Sequence, residues 1–319
     1  MRARSRSTSY KKVKRRAAKH ENGRTASFVR GIPIAVASML LLALAAPVAH
    51  AQSLNWEGQT GALVTPFAYT SASPANGIGL PAVSFHYLDA GDVLGGFYEI
   101  SGTVGFLNRF EAGYSRALSS AGTTPGLSPL FAGGFNIFHG KANLLRENAW
   151  KQNYLPAISV GFVARTQVRR VGGVVNGEDT SNGDFYAVAT KTITQIKALP
   201  IVASLGFKVT NAAILGLAGN APDWQGCVFG ALGFVLPGPA KSKLVVGSEA
   251  LQEPHHIQGL LTPVAATLPT TLTYFVRVLP PGKIPLNVDF GVAQIANRIL
   301  PGVALDARSQ FAFGISYKF

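Results

Sequence analysis

The side chains best suited to chemistry in this sequence are four histidines beyond residue 51, one cysteine and a few groups of carboxylates. His86 and His139 stand singly among apolar neighbours, the setting of a packed imidazole. None of His86, His139, His255 and His256 is followed by x-Ser, the spacing that sets a serine nucleophile beside its base in membrane phospholipases. His255-His256 with Glu253 are ligand types for a transition metal, yet adjacent loop positions converge poorly on one ion. Glu178-Asp179 with Asp184 supply hard oxygens for Ca²⁺, without the dense alternation of carboxylates that dedicated loops use. Gly95-Gly96 and Gly172-Gly173 are followed by neither a phosphate-binding lysine nor a helix start. Cys227 has no second cysteine to pair with. The expectation is a protein with no catalytic residues, no metal and no cofactor, and not an enzyme.

The elements that carry these residues repeat with a period of two. In 284–294, Leu286, Val288, Phe290 and Val292 alternate with Asn287, Asp289, Gly291 and Ala293; in 270–279, Leu272, Tyr274, Val276 and Val278 alternate with Thr271, Thr273, Phe275 and Arg277. Successive side chains of a strand point to opposite faces, so each stretch has an apolar face and a smaller or more polar one. The final strand repeats the pattern: Phe311, Phe313, Ile315, Tyr317 and Phe319 alternate with Ala312, Gly314, Ser316 and Lys318.

Twelve such strands are expected, at 80–89, 96–106, 108–118, 131–145, 156–168, 185–196, 201–209, 227–236, 243–251, 270–279, 284–294 and 309–319; ten to fourteen is the range the pattern allows. Tilted strands of about ten residues cross a bilayer. The connections alternate in length. Long ones (119–130, 169–184, 210–226, 252–269, 295–308, with 90–95 shorter) interleave with tight ones such as Pro280-Pro281-Gly282-Lys283. That parity is expected of an outer-membrane barrel with short periplasmic turns, long outer loops and an even number of strands. The fold class expected is all-β: a transmembrane antiparallel up-and-down β-barrel occupying 80–319. Residues 52–79, interrupted by Gly58, Gly61, Pro66, Pro74, Gly77 and Gly79, are open to three roles: a periplasmic lead-in, a plug in the lumen, or an extra strand.

With the apolar phase turned to lipid, Glu99, Glu111, Arg165, Lys191, Lys208, Glu249, Arg277 and Asp289 face the lumen, along with Ser159 and Asn287. They either pair into a rigid network or line a narrow path. Phe311, Phe313, Ile315, Tyr317 and Phe319 form the signal by which assembly machinery takes up such barrels.

The N-terminal region agrees with export. Residues 1–30 hold eleven Lys or Arg and one acid, an apolar run follows from Ile32 to Val48, and Ala49-His50-Ala51 is a small-x-small cleavage site. Residues 1–51 read as a signal peptide with a long basic leader. Most of the formal charge of +14 sits there; beyond it 18 basic residues face 14 acidic ones, which removes the case for nucleic-acid binding.

Asn55-Trp56-x-Gly58-x-Thr60-Gly61-x-Leu63-x-Thr65-Pro66 resembles the opening of the exopolysaccharide-associated outer-membrane family typified by YjbH. Gly140-Lys141, Leu144-Leu145, Glu147, Leu155-Pro156-Ala157, Val160-Gly161 and Phe185 to Lys191 are similar to its strand–turn–strand rhythm. The resemblance implies a barrel with a role in polysaccharide secretion and carries over no catalytic residues. Two functions stand side by side: a porin-like narrow channel or transporter for small solutes in the Gram-negative outer membrane, or a non-conducting structural or envelope-assembly barrel. The partners expected are outer-membrane lipid, lipopolysaccharide and the barrel-assembly machinery.

Overall fold

A computed structural model describes residues 53–89, 95–120, 134–169, 179–196, 199–217, 219–254, 268–281, 284–294, 296–300, 303–307 and 310–319. The proposed signal peptide, Glu178, His255 and His256 lie outside them.

Twelve antiparallel strands close into a barrel, each paired with its neighbours in the chain. They are β1 (Ala82–Asp89), β2 (Gly96–Phe106), β3 (Phe110–Ser119), β4 (Phe135–Leu145), β5 (Ala157–Arg169), β6 (Asp179–Ile193), β7 (Ile201–Ala212), β8 (Asn220–Pro237), β9 (Lys243–Leu251), β10 (Thr271–Leu279), β11 (Leu286–Gln294) and β14 (Gln310–Lys318). A separate hairpin, β12 (Ala296–Leu300) and β13 (Val303–Ala307), stands in the connection before β14. The sequence reading expected loop there, because five-residue strands with Arg298 and Asp306 in them show little alternation. Closure comes from β1 against β14, with Ala82 opposite Lys318 and Leu88 opposite Ala312. Closing the sheet removes the two edges that an open sheet would leave unpaired.

The alternation sorts side chains as expected on most strands. On β11 Asn287, Asp289, Gly291 and Ala293 are buried while Phe290 and Val292 are exposed; on β10 Thr273, Phe275 and Arg277 are buried while Tyr274 and Val276 are exposed. Leu205, Phe207, Val228, Phe138, Phe162 and Phe185 extend this apolar outer band, with Leu205 69% exposed. A contiguous apolar exterior of this kind is stable against lipid and not against water.

β6 runs in the opposite phase. Tyr186, Val188 and Thr190 are buried and Phe185 is exposed, so Lys191 is not in the lumen. Its ammonium lies 3.3 Å from Glu147 on the neighbouring turn. Val188 and Tyr186 mark the apolar phase of β6 in the sequence, but that phase packs inside the barrel, against residues such as Phe229. The long connection expected at 210–226 is also shorter: β7 and β8 run on through much of it, with Ala212 opposite Asn220.

Tight turns gather at one end. Leu107 and Asn108, both left-handed (φ 54° and 49°), open the three-residue link 107–109 between β2 and β3, matching the twist of a hairpin. The longer connections gather at the other end, and there Ala213 to Leu217 fold inward, with Ile214, Leu215 and Leu217 buried.

Candidate functional site

The lumen is the site, and it is filled by the chain itself. Residues 53–71 enter from the short-turn end, fold back within the barrel and leave at the same end. Two bridges, Leu54–Thr60 and Gly61–Pro66, close tight loops. At the exit the Gly79 amide donates to the Gly105 carbonyl at 2.8 Å. The nineteen residues of irregular backbone in 53–71 must find partners for their amides and carbonyls inside the barrel. Those partners are the inward-facing charges of the wall.

Glu249 is the clearest case. Its carboxylate accepts from the amides of Leu63 (3.2 Å), Val64 (3.1 Å) and Thr65 (2.7 Å), and from the hydroxyls of Thr65 (2.7 Å) and Thr273 (2.6 Å). Glu111 accepts from Thr60 through its amide (3.0 Å) and hydroxyl (2.6 Å), and from the Ser71 amide (2.7 Å). Lys141 stands 2.9 Å from Glu111 and donates to the carbonyls of Thr60 (2.9 Å) and Phe67 (3.1 Å). Arg277 is paired with Asp289 (Nε to Oδ1, 2.7 Å) across the β10–β11 register, and its remaining nitrogens donate to the carbonyls of Gly61 (3.0 Å) and Ala62 (3.1 Å). Arg165 bonds Glu57 of the segment and lies 2.8 Å from Asp184. Lys318 reaches the Ser71 hydroxyl and the Ala72 carbonyl, both at 2.8 Å. Hydrogen bonds to charged groups contribute roughly 1.5–3 kcal/mol each, so this clamp is strong and also polar.

Two glycines let the backbones approach. Gly58 has φ +81°, and a Cβ there would come within 2.6 Å of the Ser115 hydroxyl. At Gly105 a Cβ would strike the Ser71 carbonyl.

Glu99 and Lys208 are buried in the wall as well, but neither clamps the segment directly. Glu99 pairs with His86 Nδ1 at 3.0 Å. Ser84, His86 and Glu99 supply the residue types of a hydrolytic triad, yet Ser84 Oγ lies 3.5 Å from the same Nδ1 that faces Glu99. A triad needs the acid on one ring nitrogen and the nucleophile on the other. With Trp56 packed on the imidazole and the whole set buried, the arrangement is structural. Asp184, considered above as a Ca²⁺ ligand, is committed to Arg165 and the Thr210 hydroxyl. Among the described residues no group of His, Cys, Asp and Glu is placed to hold a metal ion.

The long-loop half of the lumen is apolar. Trp56 and Leu63 at the tip of the segment meet Leu88, Ala293 and Ala312 of the wall and Ile214, Leu215 and Leu217 of the inturned loop. Glu253 anchors that loop, accepting from the Ile214 amide (2.9 Å) and the Thr271 hydroxyl (3.0 Å); burial pushes its carboxyl above the usual range. The cavity between tip and loop measures about 30 Å³, room for a single water.

The sequence reading missed Glu57, Lys141 and Glu253 as members of this network. Glu57 lies in a stretch with no periodicity, and Lys141 sits on a strand whose alternation is blurred by Gly140 and Ala142.

No family model and no curated protein matches the chain, so the YjbH-like resemblance gains no support there. Solved outer-membrane barrels are similar in form. The KdgM porin in complex with disordered oligogalacturonate aligns with TM-score 0.42 and 10% identity, covering 75% of this chain and 99% of its own. The COG4313 outer membrane channel from Pseudomonas putida F1 aligns at 0.41 and 11%, covering 80% and 100%. A Pseudomonas aeruginosa FadL homologue aligns at 0.38 and 10%, covering 86% and 99%. The likeness is one of general barrel form, and no property of those proteins transfers through it.

Proposed function

We propose that the mature chain is an outer-membrane β-barrel of a Gram-negative bacterium that passes small solutes when residues 53–71 are displaced. The observation that carries this reading is the character of the clamp. Towards the short-turn end the segment is held by ions and amides, contacts that water or a polar solute can replace, while Trp56 and Leu63 at its tip pack on the apolar half of the lumen. A barrel built only to be rigid has less need of buried charges, since well-packed apolar residues serve at least as well. The short-turn end is periplasmic in this reading, with signal-peptide cleavage near Ala51 and with Phe311, Phe313, Ile315, Tyr317 and Phe319 presented to the assembly machinery. Membrane lipid and lipopolysaccharide surround the barrel.

The test is a planar-bilayer recording of refolded 52–319 beside Glu249→Gln, which weakens the grip on three successive amides. Rare openings in the wild type and more frequent ones in the variant support the gated channel. Silence in both, with each protein showing the heat-dependent gel shift of a folded barrel, leaves the second reading. That reading is a non-conducting envelope-assembly barrel, including an accessory of surface-polysaccharide secretion, and the filled lumen is the observation in its favour.

A further inference from the structure

On the outer face of β3, β4 and β5 the apolar band is interrupted by a groove of about 540 Å³, within the range of ligand pockets. Small residues, Ala112, Gly140 and Ala142, form its floor, and Phe110, Phe162 and Phe185 form its walls. It begins near the middle of the strands, where Phe162 stands opposite Phe185, and ends at the short-turn end beside Phe106 and Phe110, whose rings stack at 5.4 Å. Towards the long loops the tilted pair Tyr114–Phe138, ring centres 5.2 Å apart, stands above it. The groove is thus confined to the half of the barrel nearest the short turns.

Cations gather where it ends. Arg109 donates to the Asn143 (3.2 Å) and Leu144 (3.3 Å) carbonyls, and Arg146 donates to the Asn108 carbonyl at 3.2 Å, so both guanidinium groups lie between the 107–109 and 143–146 turns. Lys151 follows on the same turn. Trp150 (78% exposed) and Tyr154 (70%) project beside them, as amphipathic rings do at a membrane–water boundary. The nearby acid, Glu147, is taken up by Lys191, Tyr69 and the Thr192 amide.

We propose that this face binds an anionic phospholipid of the periplasmic leaflet, one acyl chain in the groove and the phosphate at Arg109 and Arg146. The chemistry matches at both ends: an apolar trough that runs from mid-strand to the short-turn end, and two planar donors with unused N–H groups suited to phosphate. The site depends on the barrel spanning a membrane but not on whether its lumen conducts.

Refolded full-length mature protein with Trp56→Phe and Trp224→Phe reports on this face through Trp150 alone. It is placed in phosphatidylcholine vesicles containing a minor fraction of phosphatidylglycerol brominated on its acyl chains, or of brominated phosphatidylcholine. The expected result is stronger quenching by the phosphatidylglycerol, by about fivefold in apparent affinity for each cation engaged. Ala112→Phe, which fills the trough without touching the turns, and Arg109→Gln with Arg146→Gln should each abolish the preference. Equal quenching by the two lipids overturns the proposal. So does a preference that survives Ala112→Phe, since the basic turn alone would then account for it. Protection of Trp150 from both lipids by a second copy of the chain, seen as a cross-linked dimer, overturns it as well.

Discussion

At the scale of single residues, the lumen depends on buried ions that satisfy backbone groups as much as each other. Arg165 shows the consequence. It bonds Glu57 and Asp184 with no exposed surface of its own, so Arg165→Met leaves two carboxylates facing each other. Removing one partner of a buried pair costs about 3–5 kcal/mol, and the variant should unfold from lipid vesicles at correspondingly lower urea. Gly58→Ala acts on the segment rather than the wall. Its φ of +81° and the adjoining Ser115 hydroxyl leave no room for a methyl, so the segment loosens by more than about 1 kcal/mol while the barrel persists. Faster proteolysis within 53–71 in an otherwise heat-modifiable barrel is the expected reading. An unchanged cleavage rate would mean that the close approach at Gly58 does not hold the segment.

Elements obey a different rule, set by the two faces of each strand. Tyr274 is exposed on β10 and its neighbour Thr273 is buried, bonded to Glu249. Tyr274→Lys places an ammonium in lipid at a cost of about 2–4 kcal/mol near the midplane. Refolding yield into vesicles should fall accordingly, and a yield equal to wild type would contradict the membrane face assigned to β10. The last strand carries a second, kinetic role in the proposed reading. Phe319→Asp changes one residue beyond β14 and little of the packing, so folding in detergent should be kept. Delivery to the outer membrane of cells should fail, with the protein accumulating in the periplasm and being degraded.

For the whole molecule the decisive quantity is how often the lumen clears. Arg277 joins three roles: it neutralises Asp289, holds the Gly61 and Ala62 carbonyls, and stands opposite Asp289 in the β10–β11 register, one pair from its short-turn end. Arg277→Ala therefore both releases the segment and leaves a fixed negative charge in the path. More frequent openings with a shift toward cations follow if solutes pass here, because fixed charge at a constriction sets ion preference. Reversal potentials in a salt gradient measure that shift, and openings without any change in selectivity would place the path away from Asp289.

Much of this architecture is written in the sequence because a strand has a period of two and a barrel sorts that period between lipid and lumen. Arg277 and Asp289 on one face, with Tyr274 and Phe290 on the other, are legible without coordinates, as is the alternation of short and long connections. Lys191 was misread for the same reason: where Tyr186, Val188 and Phe229 pack inside the wall, the apolar phase no longer means the lipid side. The role of 53–71 has no periodic signal at all, and only the tertiary structure brings Glu249 from β9 to three amides nearly two hundred residues away. Local pattern determines which face a side chain takes. What that face meets across the lumen is decided by closure of the barrel, which sets distant strands around one irregular segment whose amides must all find partners.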